Sequence, residues 1–264
     1  RIVFDVNGDD RIYVIADPGW ITGQSYLIAA PLSCGITSII AEGSPLFPNA
    51  GRFSSIIERH CATIFKAGST FLKAVMTDPE STHDMASHDM KRLKAATFCA
   101  EPVSPAVQQF AMNQVCDHYI NSYWATEHGG IVFTCPWGGY KPLAADAKTW
   151  PLPWIQAEVR IPTQTDEAGN ASEWRRAEPG EKGELVITQP YPYLARTIWG
   201  DPENLGSPNW KGDLDRFSRV YFDRWSGGYA YTQGDYAREH EDGAFTLHGR
   251  SDDVINVSGH RIGT

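Results

Sequence analysis

With 264 residues and 42% hydrophobic side chains, the chain can bury a real core in one large domain or two small ones, which argues against a disordered protein. Its net charge of -9 and pI near 5.3 argue against a broad electrostatic footprint for nucleic acid or an anionic membrane, leaving only the option of a local basic pocket. The cysteines, Cys34, Cys61, Cys99, Cys116 and Cys135, are odd in number, widely spaced and lack any CxxC pair, so they read as reduced thiols rather than a disulfide framework or a zinc site. No apolar run reaches membrane-spanning length, and the opening RIVFDVNGDD has no secretory h-region. The expectation is a soluble, cytoplasmic protein without nucleic-acid or membrane partners.

In chain order, ADPGWITGQSY (16–26) combines a Pro-Gly turn with the start of a helix through SYLIAAPLSCG. The short apolar runs SIIAEG (38–43), ATIFKAG (62–68) and LKAATFCAEP (93–102), each ended by Gly or Pro, read as buried strands. Between them, AGRFSSIIERHC places Phe53, Ile56, Ile57 and His60 on one helical face. STHDMASHDM (81–90) is polar and reads as a solvated loop, so its His83 and His88 are not taken as metal ligands. In SPAVQQFAMNQVCDHY, Ser104 is the N-cap, Pro105 the first helical residue, and Val107, Phe110, Ala111 and Gln114 form one stripe. Such alternation predicts an α/β fold: a helix-covered, mostly parallel sheet whose ligands gather at the carboxyl ends of the strands.

After about residue 130 the character changes. Pro and Trp become frequent, and the strands IQAEVRI and GELVITQP are separated by the polar, turn-rich stretch TQTDEAGNASEWRRAEPGEKG. This predicts an antiparallel, barrel-like β subdomain. The expected organisation is an α/β subdomain over 1–130, a β-rich subdomain with a terminal hairpin over 131–250, and a hinge segment over 251–264.

Two stretches carry candidate chemistry. In YTQGDYAREHEDGAFTLHGR, Asp242-Gly243 signals a hairpin; a two-residue turn there sets Asp235 opposite Arg250. Facing side chains share a face, so carboxylate and guanidinium converge, either as a cross-strand salt bridge worth under ~1 kcal/mol or as a pair that grips vicinal hydroxyls. NSYWATEHGG reads either as an ordinary strand-to-loop turn, which the stretch alone favours, or as a phosphate site in which Thr126 offers a hydroxyl donor to a phosphate, Glu127 a hard oxygen for Mg2+, and Gly129-Gly130 a close backbone approach. Trp124 in the same stretch reads on its own as core. No GxxxxGK[ST] and no GxGxxG occurs in these 264 residues.

Taken in order, ADPGWITGQSY, CAEPVSP, YWATEHGG, GELVI, QGDYA and DGAFTLHGRSDDVINVSGHRIGT resemble the motifs of the adenylate-forming acyl-CoA synthetases, nearest the acetyl- and propionyl-CoA synthetase branch. WATEHGG and the following PWGGYKPL are also similar to the synthetase part of multifunctional propionyl-CoA synthases, which use 3-hydroxypropionate. The resemblance implies an AMP-forming acid-CoA ligase using ATP, CoA and Mg2+ on a small carboxylate: propionate, 3-hydroxypropionate or acetate. By position it implies Asp235 and Arg250 at the ribose, and Ala100, Glu101 and Pro102 against adenine, with Asn121 near the adenine amine where the acetyl-CoA synthetases have Asp. It implies Thr126 at the α-phosphate, Glu127 with Mg2+, Arg261 at the nucleotide phosphates, and Ser258 and Gly259 along the CoA path. Ile21, Thr22 and Trp124 fall at its acyl pocket, and Asp252 at the hinge. The family's Ser/Thr/Gly-rich phosphate loop and its small C-terminal domain with the adenylation lysine are not among these residues. The expectation is therefore a piece of a larger synthetase, partnered by the other domains of its parent chain and inactive alone. The alternative is a non-catalytic AMP- or ATP-binding regulatory module.

Overall fold

The computed structural model describes residues 2–99, 101–136, 143–251, 255–257 and 260–262; for Cys99 and the residues after 251, only the backbone is described. Two compact units result: Arg1–Trp124 with Phe133–Trp150 and Val257–His260, and Ala125–Val132 with Pro151–Asn256 and Arg261–Thr264.

The first unit is built on a parallel sheet of β1 (Arg11–Val14), β2 (Thr37–Ile39), β3 (Ile64–Gly68), β4 (Ala95–Cys99) and β5 (Tyr119–Ile120), in the order β2-β1-β3-β4-β5. Parallel neighbours need long crossovers, and helices supply them. A helical run over Ile21–Gly23, Gln24–Ala29 (a π turn) and Ala30–Cys34 joins β1 to β2; Arg52–His60 joins β2 to β3; Ser69–Thr77 and Pro79–Ala86 join β3 to β4; Pro105–Gln114 joins β4 to β5. Phe53, Ile57, Phe65, Leu72, Met85, Phe98, Val107, Ala111 and Tyr119 form the core. The predicted parallel sheet is thus present, with shorter strands: SIIAEG contributes only its start, because β2 ends at Ile39.

Three local expectations are corrected. His60 and Gln114 are exposed, since each lies in the last turn of its helix, past the reach of the core. In their place Gln108 is buried, its side chain donating to Tyr119 O at 3.5 Å and accepting from Ala147 N at 2.8 Å. The stretch over 81–90 is not all loop: Asp78 caps a helix over Pro79–Ala86 by accepting from Glu80 N and Ser81 N, and Pro79 is its first residue. His88 lies beyond it and meets Glu58 at 2.7 Å. No disulfide involves Cys34, Cys61, Cys116 or Cys135.

After the short strands β6 (Phe133–Thr134) and β7 (Trp150–Pro151) in the chain, the second unit holds a five-stranded antiparallel sheet of β8 (Ala157–Thr165), β9 (Ala171–Arg176), β10 (Lys182–Ile187), β11 (Tyr231–Glu239) and β12 (Phe245–Arg250), in the order β12-β11-β10-β8-β9. Strand β9 lies inside the stretch expected to be turns. Its charged, exposed ASEWRR pattern suits a sheet edge, where a solvated face blunts unwanted pairing and hides the alternation that marks a buried strand. Val186, Trp225, Ala230 and Ala171 pack beneath it. Among the described residues no helix is long and apolar enough to cross a membrane.

At the amino ends of the parallel strands, Asp10 is buried with Lys94 Nζ at 2.6 Å and Thr63 Oγ1 at 2.7 Å, and accepts from Asn7 N at 2.9 Å. Burial pushes its carboxyl up, but the hydrogen bonds from Lys94, Asn7 and Thr63 and the Lys94 charge outweigh this and hold it below the ordinary value. A depressed carboxylate stabilises the fold above its unfolded value, near 4, and that contribution is lost as pH falls through the folded value. Asp10→Ala removes the shared acceptor of the Lys94 ammonium and the Thr63 hydroxyl, and is expected to cost about 2–3 kcal/mol in thermal melts at pH 7, the deficit shrinking below pH 4. Equal melting of variant and wild type at pH 7 would contradict this.

Candidate functional site

In the first unit, the residues singled out from the sequence follow the carboxyl ends of β1, β4 and β5. After β1, Gly23 lets the helix start against the Asp17-Pro18 turn, since a Cβ there would overlap the Asp17 carbonyl oxygen. That contact sets Ile21 and the buried Thr22 at the head of the helix. After β4, the Glu101 carboxylate accepts from Ser69 Oγ at 2.9 Å, Thr70 N at 3.0 Å and Thr70 Oγ1. It therefore caps the helix Ser69–Thr77, whose own N-cap, Gly68, has no side chain to do so. Pro102 O accepts from Ser69 Oγ at 3.3 Å, tying the β3 and β4 exits together.

After β5, Asn121 is buried and its amide donates to Ala147 O at 2.7 Å. Ser122 Oγ lies 2.6 Å from Thr97 Oγ1 and 3.2 Å from Thr134 Oγ1, and Tyr123 bridges Phe133. These contacts fix the exit that carries Trp124, which is 7% exposed and packs edge-on to Tyr26 with ring centroids 5.1 Å apart.

The second unit holds the other residues. Thr126 is exposed. Glu127 accepts from Tyr221 Oη at 2.5 Å on one oxygen and from Gln233 Nε2 at 3.0 Å on the other. The Gln233 carbonyl in turn accepts from Tyr231 Oη, and Tyr221 and Tyr231 stack with an interplanar angle of 12°. Burial, reinforced by the Glu127 charge, pushes the Tyr231 phenol far up, so it remains a neutral donor. Gly129 takes φ +68°, and a Cβ there would lie 2.8 Å from Tyr193 O. This is the close approach expected of the paired glycines.

Asp235 and Arg250 face each other on β11 and β12, 3.3 Å apart, with side chains 15% and 14% exposed. The expected pairing is present, but the expected two-residue turn is not. His240 N donates to Ala244 O, and Gly243, at φ +73°, donates to His240 O. That is a three-residue loop closed by a left-handed glycine, and Glu239, Arg238 and Ala237 accordingly face Phe245, Thr246 and Leu247. The register then shifts between Ala237 and Asp235, where Gly249 on β12 takes φ +88°, and this bulge brings Asp235 back opposite Arg250. On its other side β11 shifts against β10 between Glu184 and Val186, around Gly234 at φ +81°. Asp235 thus sits between two irregularities.

Ala100, Asp252, Ser258 and Gly259 lie outside the described residues. Of Arg261 only the backbone is described, in the strand His260–Ile262. Among the described residues, no group of three or more His, Cys, Asp or Glu side chains could hold a metal by itself. Glu127 nonetheless fits a Mg2+ shared with phosphates: Tyr221 and Gln233 hold its carboxylate as neutral donors, and Mg2+ sites of this kind use one or two carboxylates plus substrate oxygens.

The profile of the AMP-binding enzyme family matches residues 1–199. The chain belongs to that family. It is 36% identical over 271 aligned positions to an acetyl-coenzyme A synthetase of Cupriavidus metallidurans, covering 100% of this chain and 37% of that protein. Acetyl-coenzyme A synthetases of Cupriavidus pinatubonensis and Burkholderia mallei are each 37% identical over 267 positions, covering 99% of this chain. The chain spans 37% of the length of these relatives.

Sequence reasoning missed Gln233 and Tyr221 beside Glu127, and Tyr26 and the buried Lys66 beside Trp124. Gln233 carried a signal: it stands two before Asp235 in one strand, on the same face in regular pairing. Lys66 carried another, as a charge inside the apolar run ATIFKAG. Tyr221 carried none, because its partner Glu127 is 94 positions away.

His128 is also buried, and its Nδ1 accepts from Ala125 N at 3.2 Å. Burial lowers its pKa to about 4, against a small opposing effect of Glu127. A histidine lowered in the fold stabilises above its unfolded value near 6.5 and loses that contribution as pH falls from there toward the folded value. Between pH 6.5 and the folded value of about 4, the wild type is expected to lose about 3 kcal/mol more stability than His128→Asn, which keeps an acceptor for Ala125 N but no titrating proton. Denaturant titrations with the same pH slope for both proteins would contradict it.

Proposed function

We propose that the chain is the acid-activating core of a short-chain acyl-CoA synthetase. A carboxylate oxygen attacks the α-phosphorus of ATP and pyrophosphate leaves; the CoA thiolate then attacks the acyl adenylate, giving the thioester and AMP. The acid is propionate, 3-hydroxypropionate or acetate, and the likeness to the synthetase part of propionyl-CoA synthases favours a three-carbon acid.

The observation that carries this reading is the Asp235–Arg250 pair in a chain of the AMP-binding family. Asp235 accepts from the ribose hydroxyls and Arg250 donates to them. Thr126, exposed, donates to the α-phosphate, and Glu127 would hold a Mg2+, which would supply charge neutralisation for the phosphates. Ala100, Glu101 and Pro102 back the adenine, and the Glu101 side chain serves this by fixing the loop as a helix cap. Asn121 lies near the adenine amine. Its amide donates to Ala147 O and, being neutral, brings no charge where an aspartate would. Ile21, Thr22 and Trp124 bound the acyl chain, and an indole there leaves room only for a short one. Arg261 at the phosphates, Ser258 and Gly259 on the CoA path and Asp252 at the hinge enter through the family resemblance alone. Chemistry of this kind is mostly positioning and charge neutralisation, which suits a site made of fixed donors.

The test is calorimetric titration of AMP into the full-length protein. Asp235→Ala is expected to weaken binding at least about tenfold, or ~1.4 kcal/mol. Unchanged affinity with the fold intact would sink the ribose assignment.

A further inference from the structure

Parallel strands are covered on both faces, so no position along β3 opens to water by default. Lys66 nevertheless stands in the middle of β3 and is 0% exposed. A lysine is among the residues least often buried outright, since removing its charge from water is costly. Its Nζ donates to Phe98 O at 3.4 Å, and lies 4.4 Å from the Tyr26 ring centroid and 5.8 Å from that of Trp124. Two aromatic faces therefore hold the ammonium. Tyr26 stands on the π turn, four residues after Thr22.

A second observation points the same way. The Trp124 indole N–H is buried and has no acceptor among the described residues. A buried donor without an acceptor marks either a deficit in the fold or a place where a ligand supplies the oxygen. Here a buried cation and an unsatisfied donor belong to the same cluster of three side chains. Lys66 Nζ lies 5.8 Å from the Trp124 ring centroid, and a charge at such a separation is screened less among buried side chains than in water.

We propose that Lys66, packed against Tyr26 and Trp124, is a specificity-determining residue that favours short acids whose far end carries an oxygen, a hydroxyl or a second carboxylate, over plain alkyl acids. The inference rests on the assignment of Thr22 and Trp124 to the acyl pocket. An apolar terminus gains nothing from the ammonium, whereas an oxygen acceptor is stabilised by its charge and by the indole N–H.

The experiment measures thioester formation by the full-length protein with propionate, 3-hydroxypropionate and malonate, for wild type, Lys66→Met and Lys66→Gln. In Lys66→Met, the kcat/KM ratio of 3-hydroxypropionate or malonate to propionate falls at least tenfold, carried mainly by the acid KM; whichever ratio falls identifies a hydroxyl or a carboxylate as the group sensed. Lys66→Gln keeps a donor and falls less, and its ratio decides the matter where Lys66→Met does not fold. Both ratios unchanged within twofold, or a parallel loss with all three acids, would overturn the proposal and leave Lys66 a structural residue. A wild type that forms no thioester with any of the acids would instead overturn the synthetase reading itself, a result separate from an active enzyme with unaltered ratios.

Discussion

A strand cannot return to a parallel neighbour through a tight turn, and most of the first unit follows from that constraint. Each crossover needs a helix, and each helix begins from a loop at the carboxyl end of a strand. With the order β2-β1-β3-β4-β5, the chain leaves β1 to one side for β2 and later returns to its other side as β3, so the loops after these strands diverge there. Thr22, Glu101, Asn121 and Trp124 all follow carboxyl ends, whereas the Asp10–Lys94 pair sits at the amino ends. One edge of the sheet is committed to stability and the other is free to carry chemistry.

The second unit solves a different problem. An antiparallel ladder places side chains by register alone, and a slip of one residue moves each of them to the opposite face. Asp235 faces Arg250 only because the three-residue loop and the bulge at Gly249 offset one another. Glycines at positive φ are what allow both departures from regular pairing. Next to that pair, Gln233 turns toward Glu127, whose carboxylate it and Tyr221 orient as neutral donors.

How much of this could be read beforehand depended on the range of the interaction. The buried strands ATIFKAG and LKAATFCAEP and the Ser104-Pro105 helix start announce themselves through local pattern, and all are present. The Asp235–Arg250 pairing was legible from hairpin chemistry, although the two-residue turn invoked for it is replaced by two compensating irregularities. The edge strand β9 and the helix Pro79–Ala86 were missed because their solvated faces carry polar side chains that read as loop. The capping of one helix by Glu101, 32 positions from Ser69, depends on which strands lie side by side, and no local spacing encodes that. The family resemblance supplied residue roles that pattern alone did not.

The activity proposed for the chain is activation of a short carboxylic acid as its adenylate. Acid-dependent exchange of labelled pyrophosphate into ATP, in the full-length protein without CoA, isolates that half-reaction. Exchange supported by acetate, propionate or 3-hydroxypropionate, and not by hexanoate, is the result predicted. No exchange with any acid, in a protein that binds ATP, would contradict it.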